Sequence, residues 1–568
     1  MISTARDRGW GRPWAGTTGA GRVQRSAGRR TALLTSLGGL LIGLLIGWPA
    51  ACLGVDADVL LRGGTLFDGT GTDGAVGDVA LCGDKIVAVG RFPVGRAGRV
   101  IDCTGLAVTP GFIDLHTHSD RSLTKPALRA NLNYLTQGCS TVVTGNCGLG
   151  PSDVGKYLEQ LERDGIGSNV IHLAGYGPIR QAAMSNAARR PTADELKRLK
   201  EQTERAMQAG AWGLSTGLYY SWNAAADVDE LVEVARVVAA HGGLYASHIR
   251  SEGDGLIESV REAIEIGRRA GLPVHVSHFK ASLKPNWGKL REAAAVIEEA
   301  RRAGQQVTAD QYPYIASSTS FEPSVVPLGA IPGGRKDLRQ RMSADPALDR
   351  QVRELLRQRL ANTQDVLLCS GNKSAWNCRY VSEIASTEKL DPVDVVLEIY
   401  CAGGGTVVNF AMCEEDVRYG MKLPWVATAS DGWAAGPSKA PVFHPRLFGT
   451  FPRKIGRYAI EEQVLPLAQA IRSCTGLPAD ILRLADRGYL RANAAADVLA
   501  FDPQTFRDRS TFEQPGVYAT GVRYLFVNGK AAIEGGTPTQ ALSGRVLRRE
   551  APAAAGCAKD ARRRDRSY

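Results

Sequence analysis

The sequence predicts an α/β protein: a (β/α)8 barrel with a small β-sandwich built from both chain ends and a long insertion before the last barrel strand. Two observations predict this fold class. The middle of the 568-residue chain alternates short apolar strands with helical stretches, which is the pattern of successive βα units. The segments before and after it consist of short strands separated by Gly and Asp turns. We therefore assign residues 107–489 to the barrel, and residues 56–106 together with 490–545 to the sandwich.

The two chain termini carry most of the positive charge. The net charge is +11 at pH 7, and the arginine-rich residues 1–30 and 545–568 account for nearly all of it. The region between them is close to neutral, so it lacks the basic surface that a groove for DNA or RNA requires. We therefore expect no nucleic-acid partner, and we expect residues 546–568 to form a basic, disordered tail.

The N-terminal arginines precede an apolar run, Thr31–Trp48, which is followed by small residues at Ala50-Ala51-Cys52. This order is typical of a signal peptide or a single membrane anchor. We interpret residues 1–55 as such a segment, and we expect a bacterial protein that is exported or attached to the membrane. The alternative is a misassigned start codon, in which case the protein is cytoplasmic.

The two flanking segments share one sequence pattern, in which short apolar strands alternate with turns. The first begins with Asp58-Val-Leu-Leu-Arg and continues through Gly77-Asp-Val-Ala-Leu; the second contains Ala496-Asp-Val-Leu-Ala and Gly521-Val-Arg-Tyr-Leu. Asn528-Gly529 is a dipeptide that favours a two-residue hairpin turn. Because the two segments match each other and differ from the middle, we predict that they build one small β-domain.

The barrel prediction rests on eight strand candidates: Val108–Asp114, Ser140–Thr144, Asn169–Ala174, Trp212–Thr216, Gly243–Ser247, Val274–Ser277, Gln306–Gln311 and Trp425–Ala429. Between them lie stretches with helical periodicity, such as Asp227–Ala240 and Gly255–Arg269. The gap between the last two strands is too long for a loop. We expect an insertion there, with helices such as Leu348–Leu360, that covers the active face.

Histidines occur where predicted barrel strands end. His116 and His118 follow the first strand in Gly111-Phe-Ile-Asp-Leu-His-Thr-His, and His248 and His278 end the fifth and sixth. Residues two apart on a strand face the same way, so Asp114, His116 and His118 should all point into the barrel mouth. In this fold functional residues come from the carboxyl ends of different strands. We predict metal ligands here, with Asp114 orienting an imidazole behind them.

Three other histidines receive a structural interpretation. His275 is out of phase with His278 and should face the helices, while His172 and His241 belong to no motif.

Two further residues complete the predicted site. Cys147 in Gly145-Asn-Cys-Gly148 follows the second strand, and Asp431 in Ser430-Asp-Gly432 follows the eighth. A thiolate together with imidazoles suits zinc, a borderline-soft ion. A carboxylate at the eighth strand can both contact a metal and move a proton.

Taken together, the motifs resemble a known family. Pro110-Gly-Phe-Ile-Asp-Leu-His-Thr-His118 and Ser430-Asp-Gly432 resemble the amidohydrolase superfamily. Within it, the chain is similar to N-acyl-D-amino-acid deacylases in Gly145–Gly148, Ser247–Arg250, Ser277–Lys280, Tyr312-Pro-Tyr314 and His444–Arg453.

This resemblance implies a metal-dependent hydrolase that releases a carboxylic acid and a free D-amino acid from an N-acyl-D-amino acid. It implies one tight zinc on Cys147, His248 and His278, and a second, weaker metal position on His116, His118 and Asp431. Asp431 is then the catalytic base. The residues implied to bind the anionic substrate are Lys280, Tyr312, Ser318 and Arg446.

Charge at the strand ends supports an anionic small-molecule substrate independently of the resemblance. Arg250 and Lys280 each follow a ligand histidine by two positions, so each can share its face. With Arg446 they predict a cationic rim suited to a carboxylate. For Arg250 the competing interpretation is a pair with Glu252 or Asp254.

Two departures from the family pattern concern substrate fit. The stretch between Asp431 and His444 is longer than is typical, and Phe279 stands where a second histidine is common. Both leave the preferred side chain open.

Two alternatives stay open at this point. A cyclic-amide hydrolase similar to dihydroorotases and hydantoinases would carry a carboxylated lysine at the end of the fourth strand, but Leu214-Ser-Thr-Gly-Leu218 has none. The other alternative is a membrane-tethered binding protein that has lost turnover.

Overall fold

The computed structural model describes residues 54–185, 187–326 and 329–550. The predicted signal peptide or anchor lies outside the described residues, apart from its last two positions, and so does the C-terminal tail beyond residue 550. Within the described ranges, no helix has the length and apolar character needed to cross a membrane.

Both chain ends contribute strands to one β-domain, as predicted, and its nine strands form a single hydrogen-bonded sheet. Its strands run across the sheet in the order Thr537–Pro538, Lys530–Glu534, Val522–Val527, Val498–Phe501, Ala107–Pro110, Val55–Leu66, Ala75–Cys82 and Lys85–Gly90, and Val94–Asp102 pairs with Val55–Leu66. The predicted hairpin turn is present, with Asn528 and Gly529 both at positive φ (50° and 79°). Leu61, Val79, Val498 and Phe526 are buried in the apolar core of this domain.

The first predicted barrel strand is in fact two strands. Ala107–Pro110 pairs with Val498–Phe501 in the flanking sheet, and only Phe112–Asp114 enters the barrel. Gly111 lies at the break, where an added Cβ would collide with Ser140 Oγ. The prediction of one continuous strand from Val108 is therefore wrong, because periodicity cannot show where a chain leaves one sheet for another.

All eight predicted barrel strands are present. They are Phe112–Asp114, Cys139–Thr144, Asn169–His172 continued by Ala174–Gly175, Gly213–Gly217, Leu244–His248, Val274–Val276, Val307–Gln311 and Val426–Thr428. The sheet pairings between consecutive strands are parallel, and a parallel bridge between Thr117 and Gly432 joins the eighth strand to the first. This closure brings all the carboxyl ends to one face.

Amphipathic helices surround the barrel, and their caps explain where they begin. Asp227 accepts a hydrogen bond from Glu230 N at the start of Val228–Ala240, and Thr192 and Glu195 form a capping box for Ala193–Gln208. The other helices of this region are Asp120–Leu123, Leu132–Leu135, Val154–Asp164, Tyr176–Met184, Leu256–Ala270, Leu290–Arg302, Arg446–Pro452, the π-helix Arg453–Glu461, Leu467–Cys474 and Gly476–Leu482, with a 3-10 turn at Lys284–Asn286.

The insertion between the seventh and eighth strands is a small α/β unit with its own apolar core. Its antiparallel sheet contains Ser317–Ser320, Gly405–Asn409, Val366–Gly371 and Arg379–Tyr380. Its helices are Phe321–Val325, Leu338–Ala344, Pro346–Ala361, Val381–Glu388, Pro392–Cys401 and Glu414–Gly420, with a 3-10 turn at Ser374–Trp376. The predicted helix Leu348–Leu360 is confirmed within Pro346–Ala361, and the insertion lines the cavity at the barrel mouth.

The beginning of the predicted C-terminal tail is ordered. Leu547 N donates to Val170 O, and Arg548 pairs with Glu162 at 2.9 Å. Residues 546–550 therefore pack on the barrel, and the prediction of disorder from residue 546 is wrong for these five positions.

Candidate metal centre

The residues expected to bind metal converge where the barrel strands end. Three of them have left-handed backbone: Cys147 at φ 53°, His278 at φ 36° and Asp431 at φ 51°. Non-glycine residues adopt this conformation at a cost of about 1–3 kcal/mol and cluster at functional sites when they do. The strand-to-loop turn thus aims each side chain back across the barrel mouth.

Six predicted ligands form one continuous cluster of donor atoms. Cys147 Sγ lies 3.3 Å from His116 Nε2, and 3.6 Å from both His248 Nδ1 and His278 Nε2. Three overlapping groups each hold their ligand atoms within 4.8 Å of one another: Cys147 with His248 and His278; His116 with His118 and Cys147; His116 with His278 and Asp431. The first group contains the donors predicted for a tight zinc, and the remaining ligands adjoin it.

The electrostatics of these donors suit a bound cation. Burial lowers the pKa of His116 to about 4 and that of His248 well below its ordinary value, so both imidazoles are neutral and keep a lone pair. Burial raises the pKa of the Cys147 thiol well above its ordinary value. A buried thiol of this kind is deprotonated by a coordinated metal ion. The donor set of one sulfur and several nitrogens therefore fits zinc.

Asp431 stands at the centre of the charge network. Its Oδ1 lies 3.0 Å from His118 Nε2, and its Oδ2 lies 2.9 Å from Arg446 Nη1. Burial alone would raise the pKa of Asp431, but Arg446, His116 and His118 outweigh burial and hold this pKa well below its ordinary value. Asp431 is therefore an ionised carboxylate, able to accept a proton.

The residue that orients His116 is Asp310, which the sequence analysis did not single out. Its Oδ2 lies 3.3 Å from His116 Nδ1 and 2.8 Å from His275 Nε2, and its Oδ1 accepts from His278 N at 2.7 Å. One carboxylate thus fixes a ligand ring and the backbone of a second ligand. The sequence did contain a signal for Asp310, because an aspartate near the end of a buried strand needs a partner for its charge.

Asp114 and His275 differ from their predicted positions. Asp114 accepts from the backbone amides of His116 (3.0 Å) and Ser430 (3.1 Å), so it braces the first and eighth strands rather than an imidazole. Burial raises the pKa of Asp114 to about 7. His275 was expected to face the helices, but its contact with Asp310 places it behind the ligands. The prediction for His275 is wrong because strand Val274–Val276 ends before His278, so the alternation of faces does not extend to that residue.

Glu252 is a second residue that sequence reasoning missed. Its Oε1 lies 2.7 Å from His278 Nδ1 and 2.5 Å from Lys280 Nζ. Burial would raise the pKa of Glu252, but Lys280, His278 and His248 outweigh it and lower this pKa. Glu252 therefore orients a ligand ring and neutralises Lys280, which lies in the cavity as predicted.

The substrate residues expected from the motifs line one cavity of about 520 Å³, together with the metal ligands Cys147, His248, His278, His118 and Asp431. Tyr312 packs beneath the Arg446 guanidinium, 4.7 Å from ring centroid to Cζ. Arg446 Nη2 donates to Ser318 O at 3.1 Å. Tyr312 Oη, Ser318 Oγ and Arg446 Nε are buried, and no described residue offers them a hydrogen bond.

Arg250 does not join this cavity. Its guanidinium pairs with Glu262 at 2.8 Å and donates to Ala224 O and Ala226 O. The prediction that Arg250 binds substrate is wrong, and the partner is neither Glu252 nor Asp254. The chain turns after His248, so a two-residue spacing there no longer means a shared face.

An aromatic wall was also missed. Tyr219 stacks on the His248 ring with centroids 5.5 Å apart, and Tyr220 stacks on Trp222 at 4.4 Å. All three line the cavity. The sequence signal for this wall was the group of three aromatic residues just after the fourth strand.

His172 and His241 belong to none of the donor groups, in line with their structural interpretation.

Comparison with known proteins agrees with this geometry. A family model described as "Amidohydrolase family" matches residues 99–322 and 344–533. The chain is 35% identical over 525 residues to D-aminoacylase of Alcaligenes xylosoxydans xylosoxydans, covering 87% of this chain and 98% of that protein. It is also 35% identical over 517 residues to N-acyl-D-glutamate deacylase of the same organism, covering 87% and 97%.

A solved structure gives the same result. The N-acyl-D-glutamate deacylase from Bordetella bronchiseptica, complexed with zinc and a phosphonate inhibitor, superposes with a TM-score of 0.73 at 31% identity. The match covers 87% of this chain and all of that chain. With a family model over most of its length, full-length relatives and a solved neighbour all in agreement, this chain belongs to the amidohydrolase family and, within it, to the D-aminoacylase group.

Proposed function

We propose that the protein is a zinc-dependent N-acyl-D-amino-acid deacylase, which hydrolyses the amide bond and releases a carboxylic acid and a free D-amino acid. One observation carries the proposal. Buried polar atoms of Tyr312, Ser318 and Arg446 lack partners among the described residues, and these three residues line the same cavity as the predicted zinc ligands. Leaving such groups unsatisfied costs about 1–3 kcal/mol each, and a bound polar ligand recovers that cost.

Cys147, His248 and His278 would hold the tight zinc, and His116, His118 and Asp431 would provide a second, weaker position. Zinc, when bound, supplies Lewis acidity that polarises a carbonyl and acidifies water. The ligand chemistry supports this choice, because the site combines one thiol with buried neutral imidazoles. The zinc-bound deacylase of Bordetella bronchiseptica supports it as well.

The chain's own residues provide proton transfer and substrate orientation. Asp431 accepts the proton of the attacking water and returns it to the departing amine, which is general base and then general acid catalysis. Burial raises the pKa of the Tyr312 phenol, so this group stays protonated and donates to the oxygen on which charge develops. Arg446 binds the substrate carboxylate, with Ser318 as a hydrogen-bonding neighbour.

The preference for D-amino acids rests on the relatives, which are named as enzymes of D-amino-acid derivatives. The alternative of a cyclic-amide hydrolase is disfavoured because the fourth strand, Gly213–Gly217, carries no lysine. The alternative of an inactive binding protein is disfavoured because the donors and the base lie together in one cavity.

The test is hydrolysis of matched D and L N-acetyl amino acids by purified protein, with metal content measured on the same sample. Release of acetate from the D series by protein holding about one zinc per chain would support the proposal. Zinc-loaded protein that cleaves neither series would refute it, and cleavage of hydantoins alone would favour the cyclic-amide alternative.

A further inference from the structure

The insertion gives the cavity a polar wall. Strand Ser317–Ser320 and its partner strand Gly405–Asn409 contribute hydroxyl and amide side chains, and helix Pro346–Ala361 contributes Arg359. An apolar substrate group is poorly matched to such a wall, because it would desolvate polar groups without replacing their hydrogen bonds. The wall instead suits a polar or charged part of the ligand.

Arg359 differs from the other cations of the cavity. Lys280 pairs with Glu252, and Arg446 lies 2.9 Å from Asp431 Oδ2. Arg359 forms no ion pair with any carboxylate in the described part of the chain. It is therefore the cavity's one lysine or arginine, among described residues, whose charge is not already balanced by a protein carboxylate.

The hydrogen bonds of Arg359 involve one edge of its guanidinium group and leave the other edge for a ligand. Nε and Nη2 donate to the same acceptor, Ser324 O, at 3.2 and 3.1 Å. These two nitrogens form the side edge of the guanidinium, so the end edge between Nη1 and Nη2 keeps two parallel N–H groups. That fork matches a carboxylate, with two charge-assisted hydrogen bonds.

Arg359 is also close enough to the metal ligands to act on the same substrate. Tyr219 stacks on the ligand ring of His248, and the Arg359 guanidinium faces the hydroxyl end of Tyr219. One tyrosine side chain therefore separates the cation from the ligand cluster. Asp254 also lines the cavity, but it is exposed and bound to Asn286 Nδ2 at 2.9 Å. Its solvated charge opposes an anion only weakly.

We infer that Arg359 binds a second carboxylate of the substrate, so that the enzyme acts on N-acyl amino acids bearing two negative charges. The second carboxylate belongs either to an acidic amino-acid side chain or to a dicarboxylic acyl group. This inference rests on the proposed deacylase function and adds the substrate class to it.

Two matched pairs of substrates test the inference and distinguish its two forms. N-acetyl-D-glutamate is compared with N-acetyl-D-glutamine, and N-succinyl-D-alanine with its terminal amide, using the zinc-loaded full chain. We expect the wild-type protein to prefer the acid of one pair by about ten- to a hundredfold in kcat/KM, the usual size of a charge-assisted interaction. The pair that shows the preference identifies the source of the carboxylate.

The variant Arg359→Gln should abolish that preference by lowering kcat/KM for the acid far more than for its amide. Arg357→Gln is the matched control, because Arg357 lies on the same helix, is 58% exposed and pairs with Glu354. It should keep the wild-type preference.

Equal rates for acid and amide in both pairs would overturn the inference, and so would an Arg359→Gln variant that loses activity equally on all four substrates. The second result would mean that Arg359 only holds the Ser324 segment. N-acetyl-D-methionine distinguishes failure of this inference from failure of the proposed deacylase function. Its cleavage without any acid preference refutes the inference alone, whereas failure to cleave any of the five compounds refutes the deacylase function.

Discussion

Asp431→Asn tests the proton-transfer role with little change of shape. Asp431 has φ 51°, and asparagine is one of the side chains that tolerates this left-handed backbone. In the native protein the Asp431 carboxylate lies 2.9 Å from Arg446 Nη1 and 3.0 Å from His118 Nε2. In the variant, the side-chain oxygen of asparagine can still face Arg446, and its NH2 group can still face His118. The substitution removes the negative charge and the ability to accept a proton.

The structure sets two expected magnitudes. General acid–base groups contribute about 10²–10⁴ in rate, and a residue that serves both proton transfers should lie near the upper end. The buried Arg446 guanidinium also loses its counter-charge. Removing one partner of a buried pair costs about 3–5 kcal/mol, and the remaining amide acceptor places this case near the lower value. We therefore expect a lower melting temperature together with a nearly complete loss of kcat.

The assay measures kcat, bound zinc and thermal melting on one preparation. Asp416→Asn is the matched control, since Asp416 is a buried carboxylate outside the cavity that accepts from Gly288 N at 2.8 Å. It should leave kcat unchanged. An Asp431→Asn protein with normal zinc and activity within about tenfold of the parent would refute the assignment of Asp431 as the base, because a proton carrier contributes more than that. Zinc lost in proportion to activity would show that Asp431 acts only as a ligand.

Three further predictions concern buried side chains, and a fourth concerns the sequence of the N-terminal segment. Cys147→Ala should lose most of the bound zinc while Cys139→Ala, buried in the second strand, keeps it; full zinc in the first variant would remove the thiolate from the site. Arg446→Ala should raise KM for acyl amino acids by about ten- to a hundredfold but much less for acyl amides, which lack the carboxylate; equal losses would mean a structural role. Burial lowers the pKa of Lys454 to about 8, so between that pH and the ordinary value near 10.4 the unfolded chain binds more protons and stability rises with pH. Lys454→Met should therefore be more stable by up to about 3 kcal/mol at pH 7, with the gain vanishing toward pH 10, as urea unfolding at several pH values would show; a gain independent of pH would contradict this. Finally, residues 1–52 should direct a tagged protein out of the cytoplasm on fractionation, whereas a cytoplasmic protein with an intact N-terminus would support the misassigned start.

Much of the site could be predicted because the barrel turns sequence position into spatial position. All parallel strands end at the same face, so residues that follow different strands meet there whatever their separation in the chain. Cys147, His248 and Asp431 could be placed in one cluster on that ground alone. Tyr312 required the family resemblance, because it lies in a loop whose position no periodicity predicts.

The sequence by itself thus determined the number and order of the barrel strands, the shared β-domain of the two chain ends, the insertion and the set of donor residues that meet at the barrel mouth. Only the tertiary structure decided which polar groups pair behind the ligands. Asp310 rather than Asp114 orients His116, and Arg250 turns to Glu262 instead of the cavity. The physical reason is that strand periodicity predicts only which face of the sheet a side chain lies on, and only as far as the strand continues. A hydrogen bond, in contrast, depends on the register between strands, on the turn after each strand and on the rotamer, to within a few tenths of an ångström.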